Sequence, residues 1–322
     1  MTNKIFIASR SYGKYSHETI NFLQENGFEI EHNELDRVYK EEDLLEIVEN
    51  FDVIVVGVDE VTENVIEKGE KLKVIGKNGI GVDNIDLEAA DKYGIPVVNI
   101  PGANSHSVAD LTIALMLSLA RSIPQVNNKT KAGKWEREIG RELWDKTVGI
   151  IGTGDIGQQV AFRAINGFNC NVLAYDVVKD EKFASQERVE YIDDIEKILA
   201  DSDFISLHVP FTKETENLID SKSLSTMKEE AYLINTARGG VVNEGDLHHA
   251  LKENEIAGAA SDVFSEEPPG EHPLFELSNF IATSHIGAFT YETNRRAGIG
   301  LARDIVSVIE GSKPENLVNN PR

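Results

Sequence analysis

Two groups of residues in this chain have types and spacings that could do chemistry. The first is Gly152-Thr-Gly154-Asp-Ile-Gly157, which follows the apolar run Val148–Ile151 and opens a helical pattern with Val160, Ala161 and Ala164 on one face. A second apolar run, Asn171–Tyr175, ends in Asp176, an acid placed roughly twenty residues past the glycines, as dinucleotide binding requires. Gly152 allows the tight turn, Gly154 lets the backbone approach a pyrophosphate, and Gly157 lets helix and strand pack closely. The helix N-terminus adds N–H groups and positive partial charge for the phosphates. Asp176 can accept hydrogen bonds from ribose hydroxyls, and its carboxylate repels a 2′-phosphate. The nearest base, Lys179, lies beyond Val177 and Val178, so NAD is expected over NADP.

The second group is Arg238, Glu267 and His285. Each follows an apolar run that reads as a strand: Arg238 in Asn-Thr-Ala-Arg-Gly-Gly, Glu267 in Ser-Glu-Glu-Pro, and His285 in Ser-His-Ile-Gly-Ala. Singly they are ordinary: an arginine in a surface turn, an acid before a proline, a histidine at a strand end. Ligands in doubly wound folds bind outside the carboxyl ends of the strands, so the shared placement matters. Imidazole can carry a proton near neutral pH. A carboxylate beside it favours the charged form and holds one tautomer. A guanidinium offers a planar fork to a carboxylate, which a lysine cannot match.

The elements that must position these residues are legible from periodicity. In the first hundred residues strands read at Ile5–Ala8, Phe28–Glu31, Val53–Val56, Val74–Ile75 and Pro96–Ile100. Helices read between them near His17–Asn26, Asp43–Asn50, Thr62–Lys68 and Leu87–Tyr93. A long apolar segment, Ser107–Ile123, and a polar stretch with two tryptophans, Gln125–Asp145, lead to the glycine motif. A second alternation has strands at Val148–Ile151, Val172–Tyr175, Phe204–Val209, Ala231–Asn235, Ala257–Asp262 and Phe280–Thr283, and a final helix runs over roughly Glu292–Glu310. Such alternation implies an α/β protein with two parallel sheets, each covered on both faces.

Composition narrows the partners. The 322 residues suit two α/β domains, and the formal net charge of −23 argues against nucleic acid or an anionic membrane surface. Residues 1–70 hold 17 Asp/Glu against 6 Lys/Arg, mostly on expected surface helices. An anionic substrate therefore gains nothing from the overall field and must be captured by local donors. The single cysteine, Cys170, cannot form an internal disulfide and reads as a small buried hydrophobe. The longest nearly uninterrupted apolar run, Leu111–Ala120, is about half of a membrane span, and the N-terminus reads as a first strand, so a cytoplasmic protein is expected.

The glycine motif, the three strand-end residues and several further segments together resemble the D-2-hydroxyacid dehydrogenase family, especially its phosphoglycerate dehydrogenases. The segments are Gly79-Ile-Gly-Val-Asp-Asn-Ile-Asp86, Asn99-Ile-Pro-Gly-Ala-Asn104, Val108-Ala-Asp110, Trp135 and His208-Val-Pro210, so the resemblance covers nearly the whole chain. It implies a discontinuous, flavodoxin-like substrate-binding domain of residues 1–100 and 290–322, a Rossmann NAD domain of residues 101–289, and an active site in the cleft between them. The reaction implied is hydride transfer between NAD(H) and a small anionic 2-hydroxy or 2-oxo acid. His285 would be the acid/base, Glu267 its partner and Arg238 the substrate-orienting group. Glu266 is the competing acid, and Glu267 is chosen because it immediately precedes Pro268.

The resemblance also implies cofactor contacts at Gly152, Gly154, Asp155, Ile156, Gly157 and Asp176. Val209 and Pro210 would line the adenosine side, Thr236 and Ala237 would lie along the cofactor, Asp262 would touch the nicotinamide amide, and Gly287 and Ala288 would flank its ring. Lys77, Gly79, Ile80 and Gly81 would join Arg238 in holding the substrate, the glycine turn through backbone N–H groups. No metal is expected: His248 and His249 point apart on a helix, and His17, His32, His106 and His272 lack ligand-spaced partners.

This chain departs from the pattern where phosphoglycerate enzymes often carry two phosphate-binding arginines. Gly57 and Lys77 occupy those positions, leaving Arg137 as the remaining candidate. A regulatory serine-binding domain after Glu310 is not expected. Hydroxypyruvate or glyoxylate reduction is the alternative activity. Formate dehydrogenases would have glutamine in place of Glu267, and the NAD-sensing transcriptional corepressors of the same fold carry disordered tails. The apolar segment Val108–Ile123, together with Trp135 and Trp144 on a polar arm, points to a two-fold homodimer.

Overall fold

The computed structural model describes residues 2–35 and 37–321. The chain divides into two compact units, Met1–Asn104 with Phe289–Arg322, and Ser105–Ala288. The first unit holds strands β1 (Asn3–Ile7), β2 (Phe28–His32), β3 (Val53–Val56), β4 (Val74–Lys77) and β5 (Val97–Val98). Between them run helices α1 (His17–Glu25), α2 (Glu41–Ile47), α3 (Glu63–Lys68) and α4 (Leu87–Lys92). The strands form one parallel sheet in the order β2-β1-β3-β4-β5. Central β3 is Val-Ile-Val-Val and wholly buried, as a parallel strand covered on both faces must be. Its side chains alternate between two cores: Ile54 and Val56 join one, Val53 and Val55 the other.

The second unit holds β6 (Thr147–Ile151), β7 (Asn171–Tyr175), β8 (Val189–Tyr191), β9 (Phe204–Leu207), β10 (Tyr232–Asn235), β11 (Gly258–Ser261) and β12 (Phe280–Ala282). Its helices are α5 (Ser105–Ala120), α6 (Ile123–Lys131), α7 (Asp155–Phe168), α8 (Glu181–Ala184), α9 (Ile195–Asp201), α10 (Ser221–Thr226) and α11 (Glu244–Lys252). The sheet is parallel throughout, in the order β12-β11-β10-β9-β6-β7-β8. The order reverses between β6 and β9, which opens a crevice at their carboxyl ends. Helix α12 (Tyr291–Ile309) returns to the first unit, where Ala297, Leu301 and Ile305 pack with Val74 and Val98.

Part of the acidity is structural. Asp86, Asp180, Asp194 and Asp220 each cap a helix by accepting a first-turn N–H, where a negative charge also meets the positive end of the helix dipole.

The structure differs from the sequence expectations in four places. Strand β8 was not anticipated: it is three residues on a sheet edge, too short for alternation to register. Helix α6 was read as a polar arm because it buries none of its residues; Ser122, at φ 48°, separates it from α5. Strand β5 is only two residues long, and the segment beyond α12 runs along its open edge. Val318 donates to the Val97 carbonyl (2.8 Å), and Val98 bridges antiparallel to Leu317. Fourth, the apolar faces of α5 do not call for a partner subunit. Val108, Ile113, Leu115, Met116 and Leu119 are all buried, and Ile113, Leu115, Met116 and Leu119 share one core with Val160, Ala161 and Ala164 of α7 and with Ile234 and Ala260. No single helix among the described residues is long and apolar enough to cross a membrane; α5 and α6 qualify only as a pair bent by 64°.

The segment beyond α12 is held by buried Asp304, whose carboxylate accepts from the backbone of Glu315 (2.7 Å) and Asn316 (3.2 Å) and from the Asn316 amide (2.8 Å). Asp304→Ala leaves these donors without an acceptor. It is expected to destabilise the first unit by roughly 1.5–3 kcal/mol, read as a lower urea midpoint.

Candidate functional site

The glycine loop between β6 and α7 sits in the crevice where the strand order reverses. Gly152 has φ +97°, and a Cβ there would lie 2.6 Å from the His208 carbonyl carbon at the end of β9. A Cβ on Gly157 would lie 2.0 Å from the Gly152 carbonyl oxygen. Both positions therefore exclude any side chain. Gly154 is the opposite case: nothing lies within 4 Å of where its Cβ would be, so the backbone at the head of α7 faces open space.

Asp176, at the end of β7, accepts from the Thr153 N–H (2.6 Å) and the Val178 N–H (3.0 Å), which fixes its carboxylate beside the glycine loop. The base that could have welcomed a 2′-phosphate is engaged elsewhere: Lys179 pairs with Asp193 at 2.6 Å. An open glycine, an exposed helix head and a fixed carboxylate fit a dinucleotide with a free ribose 2′-hydroxyl. Thr236 and Ala237, beyond β10, are buried, Thr236 against the Thr112 hydroxyl (3.0 Å) and Ala237 by donating to the Asn235 side chain (3.0 Å). Val209 and Pro210 follow β9, with Pro210 exposed.

The second group of residues gathers at the same edge of the same sheet. His285 Nδ1 lies 2.6 Å from Glu267 Oε2, and Nε2 has no hydrogen-bond partner among the described residues. Glu267 Oε1 accepts from the Phe264 N–H (3.0 Å), which orients the carboxylate. Of the two adjacent acids, Glu267 is the one in contact with the imidazole. His285 itself has φ +53°, a sparsely populated backbone region for a residue with a side chain. Its N–H donates to the Asp262 carbonyl (2.8 Å).

The Asp262 side chain completes the turn. It is almost fully buried and accepts from the Ile286 N–H (2.9 Å), the Gly287 N–H (2.8 Å) and the Thr283 hydroxyl (2.5 Å). Within this chain its work is to shape the loop that presents His285, a role that spacing alone did not reveal. Ala288 closes the same loop.

Arg238 is exposed beyond β10 and spends one guanidinium N–H on the Ala237 carbonyl (2.7 Å). The turn after it packs directly on the Glu267 loop: a Cβ on Gly239 would lie 1.9 Å from the Phe264 carbonyl carbon. Glu244 at the head of α11 fastens that loop from the other side. It accepts from the Ser265 N–H (2.7 Å) and lies 3.2 Å from His272 Nε2. Sequence reasoning missed Glu244 and His272, because nothing in their spacing signals a contact made only by the folded loop.

Among the histidines, His208 can be set aside as a proton carrier. Its ring is enclosed beside Ser206 (2.8 Å), and burial pushes its pKa down to about 3, so it is neutral at physiological pH. Cys170 is buried, and burial raises its thiol to about 11, which makes it unreactive. Among the described residues no three His, Cys, Asp or Glu side chains are grouped to hold a metal ion.

The candidate substrate residues of the first unit follow β4. Lys77 is buried, and its ammonium is turned toward the Gly57 carbonyl beyond β3 and Asn84 Oδ1 beyond β4, so it is committed within the first unit. The Gly79 N–H donates to the Lys77 carbonyl (2.9 Å), so in the glycine turn expected to capture an anion this donor is already used. Asn78 ties this loop to the one after β1, donating to the Ser9 (2.9 Å) and Ser11 (3.1 Å) hydroxyls. Arg137 is exposed on the arm of the second unit.

Comparison with known proteins is consistent with this geometry. Residues 113–287 match the family described as D-isomer specific 2-hydroxyacid dehydrogenase, NAD binding domain. The D-3-phosphoglycerate dehydrogenase of Methanocaldococcus jannaschii is 49% identical over 87% of this chain and 54% of its own length. The hydroxypyruvate reductase of Thermotoga maritima is 43% identical over 83% of this chain and 87% of its own. A D-lactate dehydrogenase of Aquifex aeolicus, solved with NAD and lactic acid, superposes with a TM-score of 0.84 at 30% identity, covering 99% of this chain and 100% of that one. The chain spans about half the length of the D-3-phosphoglycerate dehydrogenases it matches. With an NAD-binding sheet, a glycine loop and strand-end residues of this pattern, the chain belongs to the D-isomer specific 2-hydroxyacid dehydrogenase family.

Proposed function

We propose that this protein interconverts a small 2-oxo acid and its D-2-hydroxy acid, with NAD(H) as the redox partner. The observation that carries the reading is the 2.6 Å contact between His285 and Glu267, at the same sheet edge as the glycine loop and Asp176. The nicotinamide, when bound, supplies hydride for reduction or accepts it in oxidation. The remaining work falls to the chain. Arg238 directs its fork at the substrate carboxylate or carbonyl oxygen and orients the carbonyl carbon. His285 Nε2 delivers a proton to the carbonyl oxygen in reduction and removes it from the hydroxyl in oxidation. Glu267 holds Nδ1 protonated and stabilises the imidazolium that donates.

The substrate proposed first is 3-phosphoglycerate and its 2-oxo counterpart, the reaction in the name of the Methanocaldococcus relative. Hydroxypyruvate, in the name of the Thermotoga relative, is the alternative, and glyoxylate belongs to the same unphosphorylated class. Spectrophotometric oxidation of NADH against phosphohydroxypyruvate, hydroxypyruvate, glyoxylate and pyruvate separates them. Activity with none of these would leave an NAD-sensing binding protein as the better reading.

A two-fold homodimer is part of the proposal. Trp135 (83% exposed), Ile139 (101%) and Trp144 (58%) have no core to join in their own unit, and large apolar side chains on an arm are typical of a partner-facing surface.

Four outcomes are expected. His285→Ala loses about 10²–10⁴-fold in kcat while NADH still binds, as judged by fluorescence titration. Glu267→Gln lowers kcat by about tenfold or more while NADH still binds, because the imidazole loses the carboxylate that orients it; an unchanged kcat would remove Glu267 from the mechanism. Asp176→Ala weakens NAD binding by roughly 1–3 kcal/mol, and equal use of NAD and NADP by wild type would contradict its role. Light scattering at micromolar concentration gives twice the 35.6 kDa of one chain; the mass of a single chain would rule the dimer out.

A further inference from the structure

The first unit has its own reversal of strand order, with β1 flanked by β2 on one side and β3 on the other. Crevices at the carboxyl ends of such strands bind ligands in open α/β sheets. At this edge lies a cleft of about 350 Å³ lined by Ser9, Arg10, Lys14, His32 and Asn33 among others. Among the described residues no carboxylate lines it, although the chain carries 55 acids and a net charge of −23. Among the described residues this cleft gathers Arg, Lys and His without an acid, a charge balance that favours an anion.

Arg37, Arg141, Arg163 and Arg295 each pair with a carboxylate, at 2.6 to 2.7 Å. Among the described residues Arg10 has no hydrogen-bond or ion-pair partner, and Lys14 only lies over the Tyr15 ring at 6.0 Å. The hydroxyl of buried Ser9 accepts from Asn78, so its own proton is left to donate. Lys77, which could have served the same edge, is instead buried against Gly57 and Asn84. The position that could have supplied a second arginine is Gly57, and a Cβ there would lie 3.2 Å from the Ser9 hydroxyl oxygen.

We propose that this cleft binds a phosphate group through the Arg10 guanidinium and the Lys14 ammonium, with the Ser9 hydroxyl as a third donor. A forked guanidinium beside an ammonium matches a dianionic tetrahedral oxyanion better than a single carboxylate. The phosphate is either the ester group of a phosphorylated 2-oxo acid, which rests on the function proposed above, or free inorganic phosphate.

Two measurements test the proposal. In the first, inorganic phosphate is titrated into NAD-free protein and the melting temperature is followed against chloride at equal ionic strength. Wild type is stabilised, Arg10→Gln and Lys14→Met lose most of the response, and Arg10→Lys recovers part of it. Equal responses from wild type and Arg10→Gln overturn the site whether or not the protein turns over any substrate. In the second, kcat/KM is measured for phosphohydroxypyruvate and hydroxypyruvate. If the ester is the ligand, Arg10→Gln lowers the ratio of the two by about tenfold or more, the scale of one lost charge-assisted hydrogen bond. Loss of phosphate binding with an unchanged ratio assigns the site to free phosphate. A wild type that reduces no 2-oxo acid fails the proposed function and leaves the first measurement to decide the site.

Discussion

The carboxylate of Asp262 is the point on which the candidate site depends. A loop that turns back at the end of a strand exposes backbone N–H groups, and buried donors without acceptors are costly. Here one buried side chain takes two of those N–H groups and a hydroxyl, while its own carbonyl takes the N–H of His285. That arrangement stabilises the positive φ of His285 and aims its ring at Glu267. The Glu267 loop is fixed independently by the Phe264 N–H and by Glu244, and the Arg238 turn is wedged against it through Gly239. Three residues far apart in sequence are thus held by backbone hydrogen bonding and by a close backbone approach.

Charge divides the surface by function. The chain is strongly anionic, so any element that is to meet an anion must work locally. The glycine loop has a helix head and an open backbone, and the edge that carries His285 has an exposed arginine. Many of the acids are spent within the chain: four of the aspartates cap helices, Asp262 and Asp304 each gather several donors in the interior, and Glu267 steadies an imidazole. Burial separates the histidines in the same way. His208 is enclosed and held neutral, whereas His285 stays half-exposed, with one nitrogen paired and the other without a partner among the described residues.

The sequence by itself determined the two parallel sheets, the glycine loop with its acid, and the placement of Arg238, Glu267 and His285 at strand ends. These are legible because strand periodicity, the absence of a side chain at Gly152 and Gly157, and the rule that loops gather at carboxyl edges are local or topological properties. What only the tertiary structure decided has a common physical cause: it depends on neighbours distant in sequence. The three-residue edge strand β8 exists through its pairing with β7. The open edge of β5 is paired by the segment beyond α12, more than two hundred residues on in the sequence. The apolar faces of α5 are covered by α7 and the sheet, so their hydrophobicity says nothing of a partner subunit. Lys77 turns inward to Gly57 and Asn84, whereas among the described residues Arg10 has no partner, because hydrogen-bond acceptors converge on one cation and not on the other. Composition cannot show which of two cations a fold will bury, because that choice is made by the groups packed around each one.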